Sequence, residues 1–181
     1  MRALRRIALV VGTSASAAFG AVPYAVVDTG QRACFDDRDE IPSPAKGQPC
    51  FGQDAQYEGP QPSYRDNGDG TVTDLNTGLM WQKGFDGGGK HTFAEARAGA
   101  AACRTGGHSD WRLPTIKELY SLIDFSGGMG LNPPRPYIET DVFEFVYGDE
   151  SRGERTIDAQ YWSATEYVGT KIGRASCRER V

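Results

Sequence analysis

The chain has 181 residues, 39% of them hydrophobic and 24% charged, and a formal net charge of −4. That length bounds it at about one domain. The acidic balance argues against nucleic acid and other polyanions as partners, because binding them relies on Lys and Arg to neutralise their charge.

Taken in chain order, the first element is a leader. "MRALRR" is basic and "IALVVGTSASAAFGA" is apolar and small, the two-part pattern of a secretory signal peptide. It is expected over residues 1–20, with Ala18-Phe19-Gly20 as one small-x-small cleavage option. The alternative is a membrane anchor, but the apolar run is short and rich in Ser, Thr and Gly, whereas spanning takes about 20 predominantly apolar residues. The expected location is therefore outside the cytoplasm: secreted, periplasmic or on the cell surface. No membrane span is expected after processing, and disulfides persist in such compartments.

Residues 21–59 are rich in Gly, Pro, Gln and Asp and read as an extended N-terminal segment without its own core. "VVDTGQ" is expected to be a short strand pairing with the main domain. Cys34 and Cys50 flank the polar loop "FDDRDEIPSPAKGQP" and are expected to form a disulfide. Closing a loop of that length stabilises by about 3 kcal/mol in the chain-entropy model. Cys103 is then left over, either waiting for a lost partner or a buried free thiol. No CxxC occurs, and His91 and His108 lie apart, so a zinc site is not expected.

"YRDNGDGTVTDLNTGLMWQK" carries the turn dipeptides Asn67-Gly68 and Asp69-Gly70 between β-prone runs, with "LNTG" as a second turn. Two successive hairpins follow. Asp66, Asn67, Asp69 and Asp74 offer hard oxygen ligands, which makes calcium the alternative reading. The register opposes it: with Asn67, Asp69 and Gly70 at loop positions 3, 5 and 6, Arg65 stands at position 1 and Asn76 at position 12. No cofactor is expected.

A helix is expected over about 92–105, where Thr92 and Glu95 form a capping box and Gly106-Gly107 stops the helix. Phe93, Ala96, Ala100 and Cys103 mark its buried face. His91, just before the cap, is expected to face solvent. A second helix is expected over about 115–124, after Pro114 ends the extended "DWRL"; Thr115 and Glu118 form its capping box. Its buried stripe would be Ile116, Leu119, Tyr120 and Ile123. Trp111 is expected in the core. Arg112 either pairs with Asp110 or Glu118 to fix the strand-to-helix corner, or contacts a ligand.

Residues 127–155 are loop-like, and ligand sites usually lie on such loops. Tyr137 and Tyr147 are the aromatic candidates there, expected to be exposed. "YIETDVFEFVY" is expected to form a short helix or turn that docks Phe143 and Phe145. "AQYWSAT" reads as a buried strand containing Tyr161 and Trp162. The final "IGRASCRERV" back-translates into a common short-read sequencing adapter, so residues 171–181, Cys177 included, are expected to be a non-native tail on a truncated domain. Without the leader's Arg2, Arg5 and Arg6 and the tail's charges, 13 basic and 23 acidic residues remain, a net of −10.

"DNGDGTVTDLNTGLMWQK", "TFAEARAGAAAC", "GGHSDWRLPTIKELYSLID" and "QYWSATEY" together resemble the DUF1566 family, also called the Lcl C-terminal domain family, over about residues 60–170. The family is named for a collagen-like bacterial adhesin that binds sulfated glycans, and its members look like exported or surface proteins of bacteria. The resemblance implies further strands after "YWSATEYVG" and a late cysteine, which would pair Cys103. The helix ending in Cys, the Gly pair and the second capped helix also look like the C-type lectin fold, and "WRLPT" is similar to a stretch in formylglycine-generating enzymes.

The expected fold is thus α+β and C-type-lectin-like, with short antiparallel strands, two helices, many loops and an incomplete C-terminal sheet. The first functional expectation is a binding or adhesion module recognising glycan or protein at the cell surface, without catalysis. The alternatives are a structural envelope domain and, third, an enzyme of the formylglycine-generating type whose catalytic part is lost. No G-x-S-x-G, H-E-x-x-H or Cys–His pair in a recognisable context supports the third.

Overall fold

A computed structural model describes residues 10–11, 27–85, 90–131, 133–157, 159–167 and 172–173. The architecture is α+β, as expected. Strands β1 (Val10–Val11), β2 (Cys34–Phe35), β3 (Glu40–Ile41), β4 (Tyr64–Asp66), β5 (Thr71–Asp74) and β6 (Met80–Gln82) precede helix α1 (Phe93–Ala102). Then come β7 (Trp111–Arg112), helix α2 (Ile116–Tyr120), β8 (Glu166–Tyr167) and β9 (Ile172–Gly173). Among the described residues these form one five-stranded sheet, in the order β4-β5-β6-β1-β7, and two separate two-stranded pairs, β2-β3 and β8-β9.

The β4-β5-β6 meander forms where turn chemistry demands it. The two expected hairpins place Asp66 opposite Val72 and Val72 opposite Trp81. Gly68 and Gly70 have φ of 76° and 85°, a conformation that costs glycine little because it has no Cβ. Alternation along the strands then splits the core in two. Val72 and Trp81 point to one face with Phe143, joined by Tyr64, Leu79, Leu119 and Leu122. Met80 points to the other, where Ala96 and Ala100 of α1 meet Trp111, Leu113 and Trp162.

α1 forms as its sequence requires. The Thr92 hydroxyl accepts from the Glu95 amide at 3.3 Å, and the Glu95 carboxylate accepts from the Thr92 amide at 2.6 Å. Phe93, Ala96, Ala100 and Cys103 share the packed face, and Phe93 lies against Trp162 with ring centroids 5.4 Å apart. After the helix the chain turns through Gly106 at φ 62°, where an added Cβ would stand 2.7 Å from Thr71 Cγ2 and 2.9 Å from Asp69 Oδ2. The end of α1 is thereby pressed onto the β4-β5 turn.

Five expectations need correction. α2 is a five-residue helix rather than one reaching residue 124, and the chain goes on through isolated turns at Leu122 and Ile123. Tyr120 is consequently exposed, not part of a buried stripe. "AQYWSAT" is not a regular strand: Trp162 and Ser163 are buried, held by the Trp162 indole N–H donating to the His91 carbonyl and the Ala164 amide donating to the Pro114 carbonyl. His91 is half-buried, and its carbonyl accepts that indole N–H. "VVDTGQ" is not a strand over its described part; Asp28 and Thr29 instead dock through single backbone bonds to Pro60 and Phe125. Of the short helix or turn expected in "YIETDVFEFVY", a turn forms at residues 139–143; it buries Phe143, while Phe145 is half-buried.

The expected leader lies largely outside the described residues, but Val10–Val11 is a strand, paired on both sides within the main sheet. Most of residues 171–181 lie outside the described residues too. No described helix is long and apolar enough to cross a membrane.

Candidate functional site

The corner after β7 is built from one ion pair. Arg112 donates across the corner to both oxygens of Glu118, at 2.9 and 2.6 Å. The same carboxylate accepts from the Thr115 amide at 2.6 Å and closes the α2 capping box. Burial alone would raise the Glu118 carboxyl, but the Arg112 guanidinium and the Thr115 donors outweigh it and hold it below its ordinary value. Two parallel N–H···O bonds from a planar guanidinium fix orientation as well as charge. Arg112 is thus used internally, in the structural role its position allowed.

The oxygen-rich hairpin is equally self-satisfied. Asp74 is 1% exposed and accepts from the Asn76 and Thr77 amides and, at 2.6 Å, from the Thr77 hydroxyl. Asp69 accepts from the Thr71 amide and hydroxyl, and the Asn67 amide group donates to Thr71 and Thr73. Asp66 accepts from the Gly68 amide and pairs with Lys83. The Lys83 ammonium holds the Asp66 carboxyl below its ordinary value, and the Thr71 hydroxyl does the same for Asp69. These four side chains stabilise turns rather than converge on one point. No group of three or more metal-ligating residues occurs among the described residues.

The loops 127–155 do not present the aromatics expected of them. Tyr137 and Tyr147 are both half-buried. Tyr147 stacks edge-on against Phe145 at 4.9 Å, and its buried hydroxyl has no hydrogen-bond partner among the described residues. Burial pushes that phenol up. The backbone there folds onto itself: Asp124 receives Arg135 at 3.0 Å, and Glu154 receives the Asp149 amide at 2.7 Å and lies 3.4 Å from Lys90.

The exposed aromatics lie elsewhere. Phe35, Phe51 and Tyr57 of the N-terminal segment are 44%, 44% and 62% exposed. They surround one turn. Gln53 accepts from the Phe35 amide at 2.8 Å and donates to the Phe35 and Cys50 carbonyls at 2.7 and 2.9 Å. The Tyr57 hydroxyl lies 3.9 Å from where a Cβ on Gly52 would stand. Beside them an open depression of about 310 Å³ is lined by Asp36, Asp37, Arg38 and Cys50. The Asp36 carboxylate is occupied by the Arg38 and Asp39 amides, which lower its pKa. Rings at the surface beside charged donors and acceptors suit a ligand with both apolar and hydroxyl faces. The sequence did carry a signal: Phe35 and Phe51 are large apolar residues in a stretch with no core of its own to bury them.

The disulfide expected across this loop is not formed. Cys34, Cys50 and Cys103 are free thiols. Cys34 is buried within β2, whereas Cys50 is exposed in a turn at φ 63°, so the two side chains sit in different environments. The loop is closed by amides instead. Besides Gln53, Gln56 donates to the Ser43 hydroxyl and the Pro44 carbonyl and accepts from the Gly52 amide. Cys103 shares a 3.3 Å contact with the Thr105 hydroxyl.

The four quoted motifs fall where this geometry is built: the hairpin pair, the α1 face, the Arg112–Glu118 corner and the buried Trp162. No curated protein and no solved structure matches the chain. The profile described as the Lcl C-terminal domain matches residues 70–177, well over half of the length, and the chain belongs to the Lcl C-terminal domain family.

Proposed function

We propose that the chain is an exported surface module that binds a glycan, and that it works by recognition rather than by catalysis. One observation carries this reading: Phe35, Phe51 and Tyr57 are exposed in the same short segment whose Asp36, Asp37, Arg38 and Cys50 line an open depression. Exposed apolar patches beside polar groups mark interaction surfaces. Sugar rings offer apolar C–H faces to aromatic planes and hydroxyls to carboxylates and guanidinium groups. The net charge of −10 outside leader and tail favours an uncharged glycan over a sulfated one. The leader-like N-terminus supports export, and the C-type-lectin-like topology expected from the sequence belongs to the same proposal.

The test is a glycan array probed with the full chain, with and without calcium, against a Phe51→Ala/Tyr57→Ala double variant. The expected result is binding to neutral glycans that is unchanged by chelator and falls at least about tenfold in the variant, the usual weight of aromatic anchors. Binding unaffected by the two substitutions would remove this surface from consideration. Failure to bind any glycan would leave the second reading, a structural envelope domain, for which the Arg135–Asp124 and Asp149–Glu154 contacts that tie down loops 127–155 speak.

A further inference from the structure

The five-stranded sheet is continuous only because of β1. This strand runs antiparallel to β6, with Val10 opposite Trp81 and Val11 opposite Met80. It also runs antiparallel to β7, with Val10 opposite Arg112 and Val11 opposite Trp111. β6 and β7 therefore run parallel to each other, two strand spacings apart. At about 4.8 Å per spacing, they stand roughly 10 Å apart, too far to share hydrogen bonds. Take β1 away, and each loses the neighbour that satisfies its inner edge.

That edge is not at the rim of the molecule. The residues opposite β1 include Trp81 and Trp111, 2% and 4% exposed and each buried in a different half of the core. Backbone N–H and C=O groups left unmade in such a place cost free energy comparable to lost hydrogen bonds. Among the described residues from 27 to 167, no segment is paired with the inner edge of β6 or β7. β8 pairs with β9 in a sheet of its own. The strand that completes the core thus comes from the N-terminal apolar segment, which the sequence marks as a removable leader.

We propose that the position between β6 and β7 is a strand-acceptor site, and that its occupant in the intact chain is the N-terminal segment carrying Val10 and Val11. Removing that segment leaves a domain that takes up an extended apolar peptide in trans, in the same antiparallel register. This is recognition by strand addition: main-chain hydrogen bonds supply affinity and the flanking tryptophans the apolar walls. β-branched residues suit the position because they pack well on a pleated surface. The proposal rests on the leader reading above but not on glycan binding.

The test uses the full chain with a protease site introduced between Val11 and Val27. Hydrogen exchange is followed at Met80 and Arg112, whose amides face β1, before cleavage, after cleavage and removal of the leader, and after adding a synthetic peptide of residues 6–16. The expected result is exchange about tenfold faster or more at these amides once the leader is gone, while β4 and β5 stay protected. The peptide should restore protection, and a version with Val10→Pro and Val11→Pro should not, because proline cannot donate to a ladder. Equal protection with and without the leader would overturn the proposal, as would rescue by the proline peptide. A leaderless chain that regains protection by dimerising, seen by sedimentation, would assign the position to a second copy and overturn it too. Should cleavage unfold the domain, a Val11→Cys/Met80→Cys variant of the full chain keeps the idea open to refutation. A disulfide mapped between the two introduced thiols supports it. An introduced β1 thiol found joined only to cysteines elsewhere sinks it.

Discussion

Residues 27–59 and residues 60–167 are held together by different physics. In the second region, strands and a capped helix enclose two clusters of buried apolar side chains, and alternation along β6 sends Met80 to one and Trp81 to the other. In the first, only Cys34 and Pro44 are buried, and the organising contacts run from side-chain amides to backbone atoms. Burial is distributed over many weak contacts, so it tolerates the loss of any one of them in proportion to area. An amide clamp concentrates its effect in two or three directional bonds, and losing it should open one loop and leave the rest unchanged.

The contrast is most severely tested at Trp81. Trp81→Ala removes the largest wholly buried side chain and should cost about 3–5 kcal/mol, enough to lower the melting temperature strongly or abolish folding, as read by calorimetry or far-UV circular dichroism. A small effect would show that the sheet is not the centre of stability.

Next in size is the corner. Arg112→Ala leaves Glu118 half-buried without its guanidinium and should cost about 1–2 kcal/mol, a figure already reduced for the exposure of Arg112 to solvent. The sign with pH follows from the depressed Glu118 carboxyl. Its contribution is complete above the ordinary glutamate value of 4.5 and is lost as pH falls through the lower folded value. Glu118→Gln should therefore destabilise at neutral pH and flatten the acid limb of the stability profile below that value. An unchanged acid limb in denaturant titrations would mean that the ion pair contributes nothing.

Smallest globally, and most specific to the N-terminal region, is Gln53→Ala. It removes the three hydrogen bonds that join the Phe35 strand to the Cys50 turn. We expect about 1 kcal/mol of local loosening, visible as faster proteolysis within residues 36–52, with the melting temperature of the main domain unchanged. A shift of the global transition would show that the two regions fold as one unit.

How far the sequence disclosed each region follows from the same difference. The capping boxes at Thr92–Glu95 and Thr115–Glu118, the Asn67-Gly68 turn and the Arg112–Glu118 corner are local, and local chemistry leaves a fixed spacing to read. The closure of the Cys34–Cys50 loop is legible as a need but not in its means, because a glutamine reaching a distant carbonyl has no characteristic spacing. Two cysteines flanking a polar loop suggest a disulfide, and Gln53 closes the loop instead. Tyr120 fits the helical period, but α2 stops at that residue, so the period has no further turn on which to act. The aromatic surface escapes because long loops draw attention to residues 127–155, whereas Phe35, Phe51 and Tyr57 lie in a segment dominated by its cysteines. Val10–Val11 reads as part of an export signal, and composition cannot also disclose that two valines bridge β6 and β7.

Gly106 ties these elements into a dimension. With Thr71 and Asp69 so close to where a side chain on it would begin, and the Gln82 amide group donating to the neighbouring Thr105 hydroxyl at 3.2 Å, the exit from α1 is a spacer of fixed length. Adding or deleting a residue between Cys103 and His108 would slide Trp111 out of step with the sheet. Length variation in this domain is therefore better accommodated in outlying connections than at this junction.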